Sequence, residues 1–242
     1  MKAFQKDSWR GIWHSMGRFV AIFAIVALGV GFFAGLKATS PDMQNTADEY
    51  YDRDRLLDVR VISTLGLTDE DIAYLSSIEG VGQVCGQRSL DVLVAGDSGN
   101  RAIRLHNLPE EGELNQVTLL EGRLPEAPGE IAVEGGMLDN SAYSVGSVIT
   151  LSESNEEDSL DSLKTHTFTV TGVVSTPRYI SFQRGNTTIG DGSISLYAYV
   201  PGSTFDMDYY TEAAIAVTGA REAASYSDEY DEMVQAVVDR LE

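Results

Sequence analysis

The chain has 242 residues, and its 17 basic and 37 acidic side chains give a net charge of −20. The first 40 residues carry five Lys/Arg and one Asp, so the remaining residues, 41–242, carry a net charge of −24. So acidic a surface argues against binding nucleic acid or anionic lipid head groups. Cys85 is the only cysteine, which excludes an internal disulfide and leaves packing to stabilise the fold.

A long apolar segment follows the basic N-terminus. Residues 19–36 contain no charged side chain, and 11 of these 18 residues are Phe, Val, Ile or Leu. As a helix they would span about 27 Å, close to the ~30 Å hydrocarbon core of a bilayer. A cleaved signal peptide has a shorter apolar region, and the best small-residue cleavage triplet here, 38–40, is followed by Pro41. The segment is therefore predicted to be a transmembrane helix, with a signal peptide or a buried core helix as the alternatives.

The charges on either side of this segment predict its orientation. Four Lys/Arg and one Asp precede it, whereas acidic residues dominate after Lys37. Because positively charged flanks remain in the cytoplasm, the N-terminus is expected inside and the long remainder outside. Residues 1–18 also have an amphipathic pattern, which predicts a short helix in the cytoplasmic interface of the lipid bilayer. Its expected anchors are Trp9, Arg10, Trp13 and Arg18.

Small residues recur along one face of the predicted membrane helix. Ala27, Gly31 and Gly35 are four residues apart and include one GxxxG. Such a stripe allows another helix to approach closely, either from the same protein or from a second copy. Glycine is common in membrane helices, so the same spacing also arises where there is no helix partner.

The polar segment 37–55 is predicted to continue as a helical stalk. Asp52, Asp54 and Asp58 lie within it or just after it, with two arginines between them. Their spacing is not that of a calcium-binding loop, and no glycine supplies the turn that such a loop needs. These carboxylates are therefore expected on a solvated face.

Residues 56–220 are long enough for one sizeable domain or two small subdomains, and their patterns predict a mixed α+β fold of two subdomains. A strand is expected over residues 56–63, and a helix that begins at the N-cap Thr68. A hairpin is expected over residues 81–108, and a further strand with alternating apolar residues over 165–175.

Other segments of this region are predicted to be short or irregular. The acidic run 153–163 predicts an exposed loop tip, and a short helical piece is expected near residues 137–142. The loop that precedes the last strands contains Tyr179, Phe182 and Arg184. These three side chains either form a contact surface for a partner or pack on their own sheet.

An amphipathic helix is predicted over residues 221–242. The residues expected on its apolar face are Tyr226, Tyr230, Met233, Val237 and Leu241. Glu242 ends the sequence without a glycine or other C-cap, which favours a fragment of a longer protein. The helix is expected to return the chain toward the membrane.

The motifs of common catalytic sites are absent from the sequence. There is no GxxxxGK[ST], so no phosphate-binding loop of that kind, and no GxSxG. The three histidines, His14, His106 and His166, fall on separate elements, with His14 predicted on the other side of the membrane. No catalytic, metal-binding or cofactor-binding residue is therefore expected, and the chain is predicted not to be an enzyme.

Several stretches together resemble the bacterial FtsX-like (MacB-type) ABC transporter permeases, above all the large permeases of Gram-positive bacteria. The resemblance is carried by WRGIWHSMGRFVAIFAIVALGVGFFAGLKATSPDM, LLEGRLPEAPGEIAVE, VGSVITL, FTVTGVVSTPRYIS and RGNTTIGDGSISLYAYVP. It implies a first transmembrane helix in the plasma membrane, a large extracytoplasmic α+β domain, and further helices that form the transport core. It also implies a cytoplasmic ABC ATPase as partner and no catalytic residues in the permease.

Three functions are compatible with these observations. The leading hypothesis is the N-terminal part of a permease that couples ATP hydrolysis by its partner to movement of the outer domain. The resemblance implies export or extraction of lipids, lipoproteins, peptides or antibiotics. The second hypothesis is a membrane-anchored extracellular sensor or ligand-binding domain, and the third is an exported hydrolase with an uncleaved anchor.

Overall fold

The computed structural model of the chain describes residues 16–96, 99–135, 143–179 and 185–241. The described residues form two compact units, one that ends at Ala47 and one that begins at Asp48. The second is called the α+β unit below. The helical piece predicted near residues 137–142 lies outside the described residues.

Helices and strands alternate irregularly along the described chain. The helices are α1 (Met16–Arg53), α2 (Asp69–Ser76), α3 (Glu157–Asp161) and α4 (Asp228–Leu241). The strands are β1 (Val59–Leu67), β2 (Val81–Gln87), β3 (Ser89–Val94), β4 (Arg101–Asn107), β5 (Thr118–Gly122), β6 (Glu130–Glu134), β7 (Val148–Thr150), β8 (Thr167–Ser175), β9 (Ile194–Val200) and β10 (Tyr210–Val217). This mixture confirms the predicted α+β class.

The helix α1 contains both the predicted membrane segment and almost all of the predicted stalk. It is apolar and long enough to cross a membrane by length and composition, with a mean hydropathy of 2.6 over its most apolar window. Pro41 lies inside it, where its ring removes one backbone donor and crowds the carbonyl four residues earlier. The helix nevertheless continues to Arg53. Thr39 and Thr46 each donate a hydrogen bond of 2.8 Å to the carbonyl four residues earlier.

One sheet of the α+β unit has three antiparallel strands in the order β1-β10-β2. The helix α2 packs against it through Ile72 and Leu75. The predicted N-cap of α2 is confirmed, since the Thr68 hydroxyl accepts from the Asp71 amide at 3.2 Å and the Asp71 carboxylate accepts from the Thr68 amide at 2.8 Å. Such a reciprocal capping box satisfies two donors that the first helical turn leaves free.

The other sheet has seven strands in the order β3-β4-β9-β6-β8-β5, and β7 also pairs with β8. The pairs β4–β9 and β6–β8 are parallel, and the others are antiparallel. The predicted alternation of β8 is confirmed, because Phe168, Val170 and Val174 are all buried. Gly172 continues this face, and a Cβ there would lie 2.3 Å from the carbonyl oxygen of Arg123. Only glycine therefore allows β5 to approach β8 so closely.

The predicted hairpin over residues 81–108 is only partly correct. Its second half is present, as β3 pairs with β4 from Ser89↔His106 to Val94↔Arg101. Its first half, β2, instead joins the three-stranded sheet beside β10. The chain crosses between the two sheets at Arg88, whose amide donates to Asn107 Oδ1 at 2.7 Å instead of continuing a strand ladder.

The predicted C-terminal helix begins later than its pattern indicated. Residues 220–222 form a separate 3-10 turn, and α4 starts at Asp228. Of the predicted apolar face, Tyr230, Met233, Val237 and Leu241 pack against the three-stranded sheet together with Val217 and Ala220. Tyr226 precedes the helix and remains exposed. The acidic run 153–163, predicted as a loop tip, contains the short helix α3.

A buried ion pair joins the two sheets. Arg178, in the turn after β8, donates through Nη2 to the Glu212 carboxylate of β10 at 2.6 Å, and both side chains are about 5% exposed. Arg178 Nη1 also donates to Gln87 Oε1 at 3.0 Å. That amide oxygen in turn accepts from Asn115 Nδ2 at 2.9 Å. Arg178, which follows β8 of the seven-stranded sheet, thus supplies a positive charge and hydrogen bonds to β10 and β2 of the other sheet.

We expect the substitution Arg178→Met to lower the free energy of unfolding by about 3 kcal/mol, because it leaves a buried carboxylate without its main partner. Arg60, 3.8 Å from Glu212 and partly exposed, is the only other cation that forms an ion pair with this carboxylate among the described residues. Denaturant titration of the full chain in detergent, followed by circular dichroism, measures the loss.

Arg123→Met is the matched control, because Arg123 also forms an ion pair but at the surface, with Glu130. Solvent screens such a pair, so its removal should cost much less than the buried one. Equal losses in the two variants would contradict a structural role for the Arg178–Glu212 pair.

Candidate functional site

The stripe of small residues in α1 is open to its surroundings. Ala27, Gly31 and Gly35 are exposed, and a Cβ built on either glycine would meet nothing within 4 Å. No described residue therefore covers this face of the helix. Its role as a helix contact stays a prediction. Of the expected interfacial anchors, Arg18 lies in α1, and Trp9, Arg10 and Trp13 lie outside the described residues.

Tyr179 packs on its own sheet, which is one of the two arrangements that the sequence left open. Its ring stacks on that of Tyr197, with centroids 3.4 Å apart and planes 2° from parallel. Its hydroxyl lies 2.7 Å from His106 Nε2. Phe182 and Arg184 lie outside the described residues, so a contact role for this loop stays a prediction.

His106 lies at the centre of this aromatic cluster and is held neutral. Burial lowers the pKa of its imidazole well below the usual value, and the nearby guanidinium groups of Arg178 and Arg104 lower it further. Its Nδ1 is buried without a hydrogen-bond partner among the described residues. Burial raises the pKa of Tyr199, whose hydroxyl donates to Thr176 Oγ1 at 3.0 Å. These groups pack on the sheet, and no local sequence pattern predicts their contacts.

The last turns of α1 belong to the α+β unit and are hydrogen-bonded to it through side chains. Asp48 accepts from the backbone amide of Ser225 at 2.9 Å and from the Ser225 hydroxyl. The Tyr50 hydroxyl lies 2.7 Å from Ser175 Oγ at the end of β8. Two residues in the last turns of α1 thus contact the segment before α4 and the seven-stranded sheet, respectively.

The carboxylates expected on a solvated face are partly buried, so that prediction is wrong for two of the three. Asp54 is 4% exposed and accepts from Thr118 Oγ1 at 3.0 Å. Asp58 accepts from the Val217 amide at 2.7 Å and from the Tyr230 hydroxyl at 2.8 Å. Asp54 also forms an ion pair of 3.0 Å with the adjacent Arg53, whereas the other donors to both carboxylates lie far away in sequence. Together these partners offset the cost of removing the carboxylates from water.

The segment after α1 is fixed by backbone hydrogen bonds as well. Arg55 has a φ of +52°, in the left-handed region, which turns the chain out of the helix. The carbonyls of Asp54 and Arg55 then accept from the amides of Gln116 and Asn115, each at 2.8 Å. The end of α1 is therefore joined to the α+β unit through both main chain and side chains.

A cavity of about 440 Å³ lies beside this junction, within the α+β unit. The charged side chains in its wall are Asp52, Arg55, Asp58, Arg221 and Glu222, and the aromatic ones are Tyr51, Tyr226 and Tyr230. Burial raises the pKa of Tyr51 to about 12, with a further contribution from its contact with Tyr226. No group of three or more His, Cys, Asp or Glu suited to a metal ion occurs within the described residues.

Comparison with known proteins gives one family. The family described as MacB-like periplasmic core domain matches residues 19–235, nearly the whole chain. No curated protein matches the sequence.

Two solved structures are similar over much of their length. The extracellular domain of the noncanonic ABC-type transporter YknZ from Gram-positive bacteria is 15% identical, with a TM-score of 0.39 over 73% of this chain and 87% of that one. The periplasmic region of MacB from Actinobacillus actinomycetemcomitans is 14% identical, with a TM-score of 0.36 over 75% and 74%. Both scores are low, so the assignment depends on the family match. The chain belongs to the MacB-like periplasmic core domain family, the extracytoplasmic domains of MacB- and FtsX-like ABC transporter permeases.

Proposed function

We propose that this chain is the N-terminal part of a permease subunit that couples ATP hydrolysis by a separate cytoplasmic ATPase to movement of its extracytoplasmic domain. The observation that carries the proposal is α1, a single helix that contains an apolar segment and ends in side-chain and backbone hydrogen bonds to the α+β unit. A helix so attached transmits displacement and rotation at its membrane end to the domain at its other end.

In this proposal the parts of the chain have separate tasks. Residues 19–36 cross the plasma membrane with the N-terminus in the cytoplasm, and residues 37–55 form the stalk. Ala27, Gly31 and Gly35 contact further helices of the same permease or of a second copy. The α+β domain acts outside the membrane on lipids, lipoproteins, peptides or antibiotics, and α4 leads the chain back toward the bilayer.

A membrane-anchored sensor or ligand-binding domain is the second candidate function, and the cavity beside Tyr51 and Asp58 favours it. Its volume falls in the range of small-molecule sites in proteins. The two functions are compatible, since a ligand bound at the end of α1 would act on the same junction.

The first prediction of the proposal concerns assembly. Affinity purification of the full-length gene product in mild detergent is expected to recover an ABC ATPase subunit. Gly31→Ile should lower this recovery several-fold, because a large side chain on the stripe keeps a neighbouring helix at a distance.

Gly29→Ile is the matched control, since Gly29 is equally open but lies off the stripe. Recovery of no ATPase with the wild type would contradict the permease function. Equal recovery of the ATPase with the two variants would contradict only the proposed role of the stripe as a helix contact.

The second prediction concerns coupling through the junction. In the assembled transporter, Asp48→Ala removes the acceptor for Ser225 and should weaken an ATP-dependent signal from a fluorescent label on V148C in β7, while the contact of Tyr50 with Ser175 remains. ATP hydrolysis should continue, because the substitution leaves the membrane part and the ATPase intact.

Thr46→Ala is the control for this experiment. The Thr46 hydroxyl donates only to Asp42 of its own helix, so its loss should change neither the label signal nor ATP hydrolysis. A full label signal in Asp48→Ala would contradict a coupling role for the junction.

A further inference from the structure

The cavity beside the end of α1 has a wall that is rich in carboxylates and tyrosine rings. Asp52, Asp58 and Glu222 outnumber Arg55 and Arg221 among its charged residues. Asp48 lies close enough to act on Asp52 as well. The wall therefore carries a net negative charge, within a unit that is itself strongly acidic.

The carboxylate of Asp52 is less well compensated than that of Asp58. Asp58 accepts two hydrogen bonds from Val217 and Tyr230, whereas the only ion pair described for Asp52 is with Arg221 at 3.8 Å. Burial and the neighbouring Asp48 raise the pKa of Asp52, whereas the guanidinium of Arg221 lowers it. A bound cation would stabilise the negative charge of this carboxylate.

The hydroxyl groups of the three tyrosines already have hydrogen-bond partners, so the tyrosines contribute mainly their aromatic rings to the cavity wall. The hydroxyls of Tyr51 and Tyr226 lie 3.1 Å apart and bond to each other, and that of Tyr230 donates to Asp58. The rings of Tyr51 and Tyr226 are inclined at 50°, with centroids 6.5 Å apart. Aromatic rings near a carboxylate are the usual surroundings of a bound organic ammonium group.

The two arginines of the wall do not exclude a positively charged ligand from the cavity. Arg221 is the partner of Asp52, so its charge is partly offset. Arg55 donates to Gln83 Oε1 at 2.7 Å, and its Nε is buried without an acceptor among the described residues. A ligand that carries an oxygen acceptor next to its ammonium group therefore suits this wall better than a bare cation.

We propose that this cavity binds an organic ammonium group, with its positive charge beside Asp52 and its alkyl surface against Tyr51 and Tyr226. The ammonium group belongs either to a soluble amine or to a lipid head group, which have this chemistry in common. The proposal does not depend on the transport function, because it concerns only the wall of the cavity.

Choline is a suitable probe, and 3,3-dimethylbutan-1-ol is its neutral isostere with the same shape. Both are titrated by calorimetry into the full chain in maltoside detergent, which contains no ammonium group. Choline is expected to bind saturably, and the isostere at least about tenfold more weakly, since it lacks the charge.

Two variants test the named residues. Asp52→Asn and Tyr226→Leu should each weaken choline binding by about tenfold. Asp161→Asn is the control, because it removes one carboxylate from α3, outside the cavity wall, and should leave binding unchanged. Tyr226 is exposed, so its variant is expected to fold even where Asp52→Asn does not.

The source of the ammonium group is tested in nanodiscs. If the natural ligand is a lipid head group, adding phosphatidylethanolamine to phosphatidylglycerol nanodiscs should weaken choline binding by competition, and if it is a soluble amine, binding should not change. The proposal is overturned by choline that does not bind, by an isostere that binds equally well, or by Asp52→Asn and Tyr226→Leu proteins that bind choline like the wild type.

Discussion

The arrangement of the α+β unit depends on one buried ion pair, between Arg178 and Glu212. Glu212 lies on β10, the central strand of the three-stranded sheet, and Arg178 follows β8 of the other sheet. Removing both charges from water is costly, so the pair persists only because other groups complete the hydrogen bonding. Gln87 and Asn115 provide that completion, and each reaches it from a different segment of the chain. The two sheets consequently share one polar centre and are expected to move together.

The end of α1 is the second place where distant segments meet. Asp48, Tyr50 and Asp54 bond to residues that are between 64 and 177 positions away in sequence. An ordinary surface helix buries an apolar stripe, whereas these turns attach through carboxylate and hydroxyl groups, whose hydrogen bonds are directional. Such hydrogen bonds fix the orientation of these last turns within the α+β unit. That property suits a domain whose proposed task is to respond to events in the membrane.

The sequence predicted what depends on local pattern. The apolar helix, the N-cap at Thr68 and the alternation of β8 all follow from residue spacing and were found. The crossing at Arg88 was missed, because the alternation of β2 runs into that of β3 and only the long-range pairing with β10 separates them.

The candidate site was harder to predict because it, too, depends on contacts between residues that are distant in sequence. The pattern around Asp54 and Asp58 indicates surface carboxylates. Arg53 donates to Asp54 from the adjacent position, but the other donors, Thr118, Val217 and Tyr230, are supplied by the fold. The cavity likewise combines residues from the end of α1 with residues just before α4. No local motif marks such a combination.

The most direct test of the account is whether the two sheets move as one body. Spin labels on Tyr74→Cys in α2 and Val148→Cys in β7 report the distance between the sheets, because both side chains are exposed and the native Cys85 is buried. Pulsed electron paramagnetic resonance on the assembled transporter, with and without ATP, measures that distance. The account predicts one unchanged distance distribution in both states, and a shift of several ångströms on ATP binding would contradict it.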